Sequence, residues 1–339
     1  MEVENHCLWY RKDTAPVQKT QGIMSFRFVV TKRYASTSAS KQQLDEFFTY
    51  YKTHASLRPW IYRPKNSNLL LTMDLKDPNT NLPIQPRQPF KPLAKNVLNK
   101  YIDSLEPKSS ELLTWFKDWT KMSVRKKPIW NYISASHLQK MLITSFFKLE
   151  GYSHLVSAIY SSRNKFVSAQ NPQAYDVDHF FNTLIMCNLR RNLLMDFNDA
   201  NVSKRKLIIA WGFTTLRTDN YGLAKLLVQE LGKQQGYDTI EFVEKFKLLS
   251  EVMLPSIDIG TAQTDALENF IEKQNGTYII TRTLLDYNKD IDPKVHRFVQ
   301  LYQSIQIKLK LTDVYDEYKL SEKEIWKKQD PKAKKSVTD

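Results

Sequence analysis

Apolar residues recur at three- and four-residue steps through most of this chain, the spacing that lines one face of an α-helix. The clearest unit covers residues 137–150, where Leu138, Met141, Leu142, Phe146 and Leu149 form a stripe. Ser136 is placed to cap its start and Gly151 to close its end. A second helix follows, with Leu155, Val156, Ile159, Tyr160 and Phe166 on one face. The same periodicity predicts helices near 178–195, 204–216, 220–231, 239–252, 264–274 and 294–310. Asp238, Thr239, Ile240 and Glu241 fit a capping box led by Asp, and Phe242, Val243 and Phe246 carry the stripe onward.

Before residue 93 the pattern changes. Residues 41–55 predict a short helix through Leu44, Phe47, Phe48, Tyr50 and Tyr51. Seven of the 14 prolines then fall within 58–92, and proline blocks helix interiors and central strands. That stretch is expected to be an extended arm that orders only on assembly. At the other end, residues 323–335 hold six lysines against two acids, a frayed basic tail beginning at about Glu322. The expected organisation is a targeting region at 1–34, the arm at 35–92, a helical domain at 93–320 and the tail at 321–339. The fold class is mainly α, either an irregular helical bundle or solenoid-like helix pairs. The pair at 137–167 has the length of a tetratricopeptide or pentatricopeptide unit, but later pairs keep no fixed period, which favours the irregular bundle.

Composition removes most enzyme classes. The eight glycines are scattered, so neither a P-loop nor a dinucleotide fingerprint can be assembled. The two cysteines, Cys7 and Cys187, cannot make a four-thiolate site or a disulfide framework. Cys187 lies in an apolar run and reads as a buried free thiol. No stretch approaches the roughly 18 apolar residues of a membrane span, so stable membrane insertion is not expected. Asn275-Gly276-Thr277 matches the glycosylation pattern, which is without meaning outside the secretory route. Asp176, Asp178 and His179 are the best-looking catalytic or metal cluster. Neighbours at a helix start diverge, however, and Asp there is more simply a cap that satisfies free N–H groups. The six histidines show no ligand spacing. No catalytic residue, metal or cofactor is implied, and the expectation is a protein that is not an enzyme.

Residues 24–44 carry no acidic side chain. Arg27, Lys32 and Arg33 stand among Ser, Thr and apolar residues, the composition of a mitochondrial targeting peptide. Arg33 lies two residues before Ala35, which suggests processing after Tyr34. Glu2, Glu4 and Asp13 do not suit such a peptide, so either Met24 is the working start or the first 23 residues are a permissive extension. The formal charge is +14. Losing residues 1–34 removes six basic and three acidic side chains and leaves +11, so the basic excess belongs to the body.

That excess is clustered. Residues 58–127 hold 14 basic and six acidic side chains. The arm offers Arg58, Arg63, Lys65, Arg87 and Lys91 among Trp60, Tyr62 and Phe90. Arg125, Lys126 and Lys127 precede Trp130 and Tyr132. Arg190 and Arg191 are adjacent, as are Lys204, Arg205 and Lys206. Cations with interleaved aromatics suit RNA, through phosphate neutralisation, arginine forks and base stacking. The competing explanation is that each cluster is a solvated helix face, with Trp60 and Trp130 in the core. No RRM or KH signature is present, so contacts to phosphates and shape are expected rather than base reading.

Taken together, the Met24–Tyr34 presequence, the basic arm, the helical body and the lysine-rich tail resemble fungal mitochondrial ribosomal proteins of the small subunit. The resemblance implies a matrix protein with no bacterial counterpart, binding small-subunit rRNA and neighbouring ribosomal proteins. It supplies no catalytic residues. Three other classes compete: a pentatricopeptide-like RNA-binding translational activator or RNA-stability factor, an assembly factor held on the inner membrane, and a cryptic enzyme, which a deep pocket with converging polar groups would revive. The first needs regular base-reading repeats, the second a strongly basic amphipathic helix.

Overall fold

The computed structural model describes residues 27–76 and 81–326. Among these the chain forms fifteen α-helices and no strand. The first are α1 (Arg27–Lys52), α2 (Arg58–Ile61), α3 (Ser67–Thr72) and α4 (Asn96–Ser104). α5 (Glu111–Thr120) and α6 (Lys127–Tyr132) lead to α7 (Ala135–Phe147), α8 (Tyr152–Ser168) and α9 (Asn182–Leu194). α10 (Ala200–Phe213), α11 (Leu223–Gln235) and α12 (Ile240–Phe246) follow, then α13 (Thr264–Tyr287), α14 (Pro293–Lys308) and α15 (Val314–Ile325).

α7 is the centre. From His137 to Phe147 every residue except Lys140 is buried, the signature of a helix packed on all sides rather than along one stripe. It touches α4, α8, α9, α13 and α15. Two of its long-range partners show the reach: Thr144 shares a 3.0 Å hydrogen bond with the Tyr318 hydroxyl, and Trp326 donates to Phe146 O at 3.0 Å. In a solenoid each unit meets only its neighbours. The architecture is therefore the irregular bundle, and the solenoid alternative falls.

Helix ends explain where the elements stop. α7 is capped by Ser134, not Ser136: the Ser134 hydroxyl accepts from His137 N while His137 Nδ1 accepts from Ser134 N at 3.1 Å. Gly151, at φ +83°, starts α8 instead of closing α7. α8, α9, α12 and α14 each close on a left-handed residue that is not glycine: Gln170, Asp196, Lys247 and Lys310. The next N–H in each case returns five residues back, for example Leu311 N to Gln306 O at 2.9 Å, which is the Schellman closure. Lys247 stops α12 there, short of the predicted 252. Ahead of it, Asp238 accepts from Ile240 N at 3.0 Å, but Thr239 caps nothing with its side chain, so the expected capping box is not formed.

Two expectations about the ends of the chain need correction. The arm is not wholly extended. Pro59 opens α2 and Pro64 opens a 3₁₀ turn, places where a missing N–H costs nothing. Ile61 and Leu70 are buried, and Phe90 stacks on Tyr50 of α1 at 3.8 Å, so the arm orders against its own chain. Glu322 does not fray either. It is 2% exposed and sits inside α15, an element the periodicity did not predict.

Candidate nucleic-acid interface

The predicted cations divide by what each side chain does. In the arm, Arg63, Lys65, Arg87 and Lys91 are exposed. Arg58 is turned inward on α1, donating to Tyr51 O at 3.1 Å and Thr53 O at 3.2 Å, with its guanidinium 4.7 Å from the centre of the Tyr50 ring. It thus satisfies the free carbonyls at a helix C-terminus. The side chains of Arg27, Lys32 and Arg33, residues 1–26 and the lysines beyond residue 326 lie outside the described residues.

Arg125, exposed, and Lys126, half-buried, lie in the loop that leads into α6, and Lys127, exposed, is the first residue of that helix. Lys127 reaches Gln170 Oε1 at 2.7 Å. The aromatics beside them are not free to stack on bases. Trp130 is fully buried and Tyr132 nearly so. Trp130 Nε1 donates to Ser123 O at 3.1 Å, fastening the segment that carries the three cations. Core packing was the right reading of Trp130, and its work is to hold the loop's shape. Trp60 is half-buried.

Arg190 must be withdrawn as a phosphate contact. It is 6% exposed and forks onto Glu322, Nε to Oε1 at 2.7 Å and Nη2 to Oε2 at 2.5 Å. Its Nη1 donates to the Tyr315 hydroxyl at 2.6 Å and pairs with Asp286 at 3.2 Å. This bidentate geometry is the strong form of an ion pair, and it ties α9 to α13 and α15. Successive residues on a helix point about 100° apart, so Arg191 faces outward where Arg190 faces in. Arg191, Lys204 and Lys206 are half-buried and Arg205 is exposed. Arg191 and Lys206 meet at Phe197, and Lys204 Nζ lies 5.1 Å from the Tyr237 ring centre. Phe197 and Tyr237 were missed in the sequence. The Asp-Phe-Asn-Asp run at 196–199 was the available signal, because Asp and Asn favour such turns.

The Asp176 cluster is a cap, as its position suggested. Asp176 Oδ1 accepts from His179 N at 2.9 Å and Phe180 N at 3.0 Å, opening a π-helical turn, Val177–Phe181. Its other oxygen meets His179 Nδ1 at 2.6 Å. Burial lowers the His179 pKa, but hydrogen bonding and charge from Asp176 outweigh it and hold the imidazole above its ordinary value. Asp178 is spent on Asn220 and the Tyr221 N–H. Among the described residues no group of His, Cys, Asp and Glu is placed to hold a metal, and no helix is long and apolar enough to cross a membrane. Thr277 of the glycosylation pattern is buried in the middle of α13.

Two family models match the chain: the MRP13-like N-terminal domain over residues 11–104 and the MRP13-like C-terminal domain over 109–336. The chain belongs to the MRP13-like family. It is a mitochondrial ribosomal protein by that membership, and the resemblance read from the sequence holds at family level. The two MRP13-like regions meet in the loop between α4 and α5, yet they share one core. Phe47 stacks with Trp119 at 6.0 Å, Tyr132 donates to Ala94 O and accepts from Leu98 N, and Lys95 Nζ donates to Asn131 O and Tyr132 O.

Proposed function

We propose that this chain is a structural component of the small subunit of the mitochondrial ribosome, working in the matrix. It holds rRNA phosphates with its exposed cations and braces neighbouring ribosomal proteins. The observation that carries the reading is the Arg125–Lys127 segment: three cations in a row, displayed on a segment that a buried tryptophan fastens, in a member of a mitochondrial ribosomal family. A fixed cationic segment loses little freedom when it meets a polyanion, so more of its attraction survives as affinity. The role is architectural rather than catalytic. A base-reading activator is less well supported, since α7 is packed on all sides instead of stacking between neighbouring repeats.

The test is sedimentation of the tagged chain from mitochondrial lysate through sucrose with magnesium, at low and high salt. Stoichiometric migration with the small subunit at both salts is expected. Light fractions, or enrichment of one messenger released by RNase, would overturn the reading and favour a gene-specific RNA factor.

A further inference from the structure

Arg191 and Lys206 differ from every other cation described above. Arg191 leaves the last turn of α9 and Lys206 the second turn of α10, and both come to one phenyl ring. The Lys206 Nζ lies 5.2 Å and the Arg191 Cζ 5.6 Å from the Phe197 centroid. The backbone that carries the ring is held from two sides. The Schellman closure of α9 brings Phe197 N to Asn192 O at 2.8 Å, and Gln235 of α11 donates to Phe197 O at 2.9 Å. The platform is therefore built rather than incidental.

Its charge is left open. Among the described residues neither side chain makes an ion pair, whereas Arg190 beside them takes two carboxylates. Burial, with the Arg191 charge adding to it and Asp199 partly offsetting both, draws Lys206 down to about 8. Arg191 is itself lowered by burial, with Tyr152 opposing. Holding two like charges half out of water, without a counterion, disfavours the free chain. An anion brought from outside would remove that cost and satisfy both donors.

We propose that Arg191 and Lys206, seated on Phe197, form a two-cation clamp for a backbone phosphate of RNA. The proposal rests on the ribosomal reading above and names one face that delivers it. RNA is favoured over an acidic protein segment because further exposed cations stand on the arm, in the Arg125–Lys127 segment and at Arg205 of α10, which suits a polyanion long enough to reach more than one. Arg191 supplies the fork and Lys206 a point charge, while the ring limits how far either can swing.

Lysine acylation footprinting at pH 8, read by mass spectrometry, tests this on the full chain. Lys121, exposed and paired with Asp118, is the internal reference. In the free chain Lys206 should react faster than Lys121, since about half of it is neutral near its own pKa. Adding protein-free mitochondrial rRNA should protect Lys206 more than about tenfold, because phosphate contact returns the amine to its charged form. In Arg191→Gln the protection of Lys206 by rRNA, measured against that variant's own free chain, should shrink to a small factor while the chain still co-sediments with rRNA. If Lys206 stays reactive in chain shown to be bound to rRNA, the clamp is wrong and the ribosomal reading survives. If the chain binds no rRNA, the RNA reading itself falls. Protection inside intact subunits but not by rRNA alone would assign the pair to a protein neighbour and overturn the proposal.

Discussion

Arg190→Met isolates the buried ion pair. The substitution keeps most of the side-chain volume but leaves Glu322, 2% exposed, without its fork, and takes one partner each from Asp286 and Tyr315. Breaking one half of a buried pair costs about 3–5 kcal/mol, because the remaining charge has neither water nor partner. In a domain of this size that lowers Tm by roughly 6–10 °C. Urea unfolding followed by far-ultraviolet dichroism gives the free energy. Tryptophan emission gives the location, since Trp326 holds the end of α15 against Phe146. The companion Arg190→Met/Glu322→Leu removes both charges and should regain most of the loss, as paired replacement of buried ions by apolar groups often does. A single variant losing less than about 1 kcal/mol, with unchanged emission, would refute the reasoning. So would a fully stable variant with weakened rRNA binding, which would return Arg190 to the interface.

Other consequences are equally open to measurement. Changing Arg125, Lys126 and Lys127 together to Glu should abolish co-sedimentation with the small subunit in high salt while leaving the urea midpoint unchanged; full retention would exclude this loop as a contact. Lys310→Gly should raise the unfolding free energy by about 0.5–1 kcal/mol, because glycine adopts the left-handed closure of α14 without the Cβ penalty; a loss would mean the lysine contributes more than its backbone costs. Burial pushes the Asp219 carboxyl up to about 6, against the Gly222 N–H it accepts from, with Asp178 adding to the rise. The folded chain holds that proton more tightly than the unfolded one, so the group weakens the fold as pH rises from 4 through 6. Asp219→Asn should therefore leave stability unchanged near pH 4 and gain about 1 kcal/mol at pH 7, discounting for partial access to water. A gain equal at both pH values would remove the carboxyl as its source.

Much of the bundle was legible because α7, α8 and α11 carry their apolar residues at helical spacing. Where the reading failed, a partner distant in sequence decided the outcome. α13 was expected near 264–274, but it runs through Gly276 to Tyr287. There the Gln139 side chain of α7 fills the space beside the glycine: a Cβ at that position would stand 2.0 Å from Gln139 Oε1 and would have to displace it. α15 escaped notice because its inward residues, Tyr315, Tyr318 and Trp326, are aromatics scattered among charges. The arm was judged by its prolines, while the rings that receive it, Tyr50 and Phe47, lie on α1. For the interface, cation density located the right segments but could not tell Arg190 from Arg191. Only the carboxylate 132 residues away makes that distinction.

The seam between the two family regions, with one core on both sides of it, bears on what becomes of incomplete copies. A product ending near residue 108 would present Leu98, Tyr101 and Ile102 to solvent, residues that are at most 1% exposed in the whole chain. Such a fragment offers a sticky apolar face to everything around it, and proteolysis or aggregation removes it before it can occupy a place in an assembly. A truncation near that point is therefore expected to act as outright loss. Neither region is expected to fold without the other, since one core runs through both.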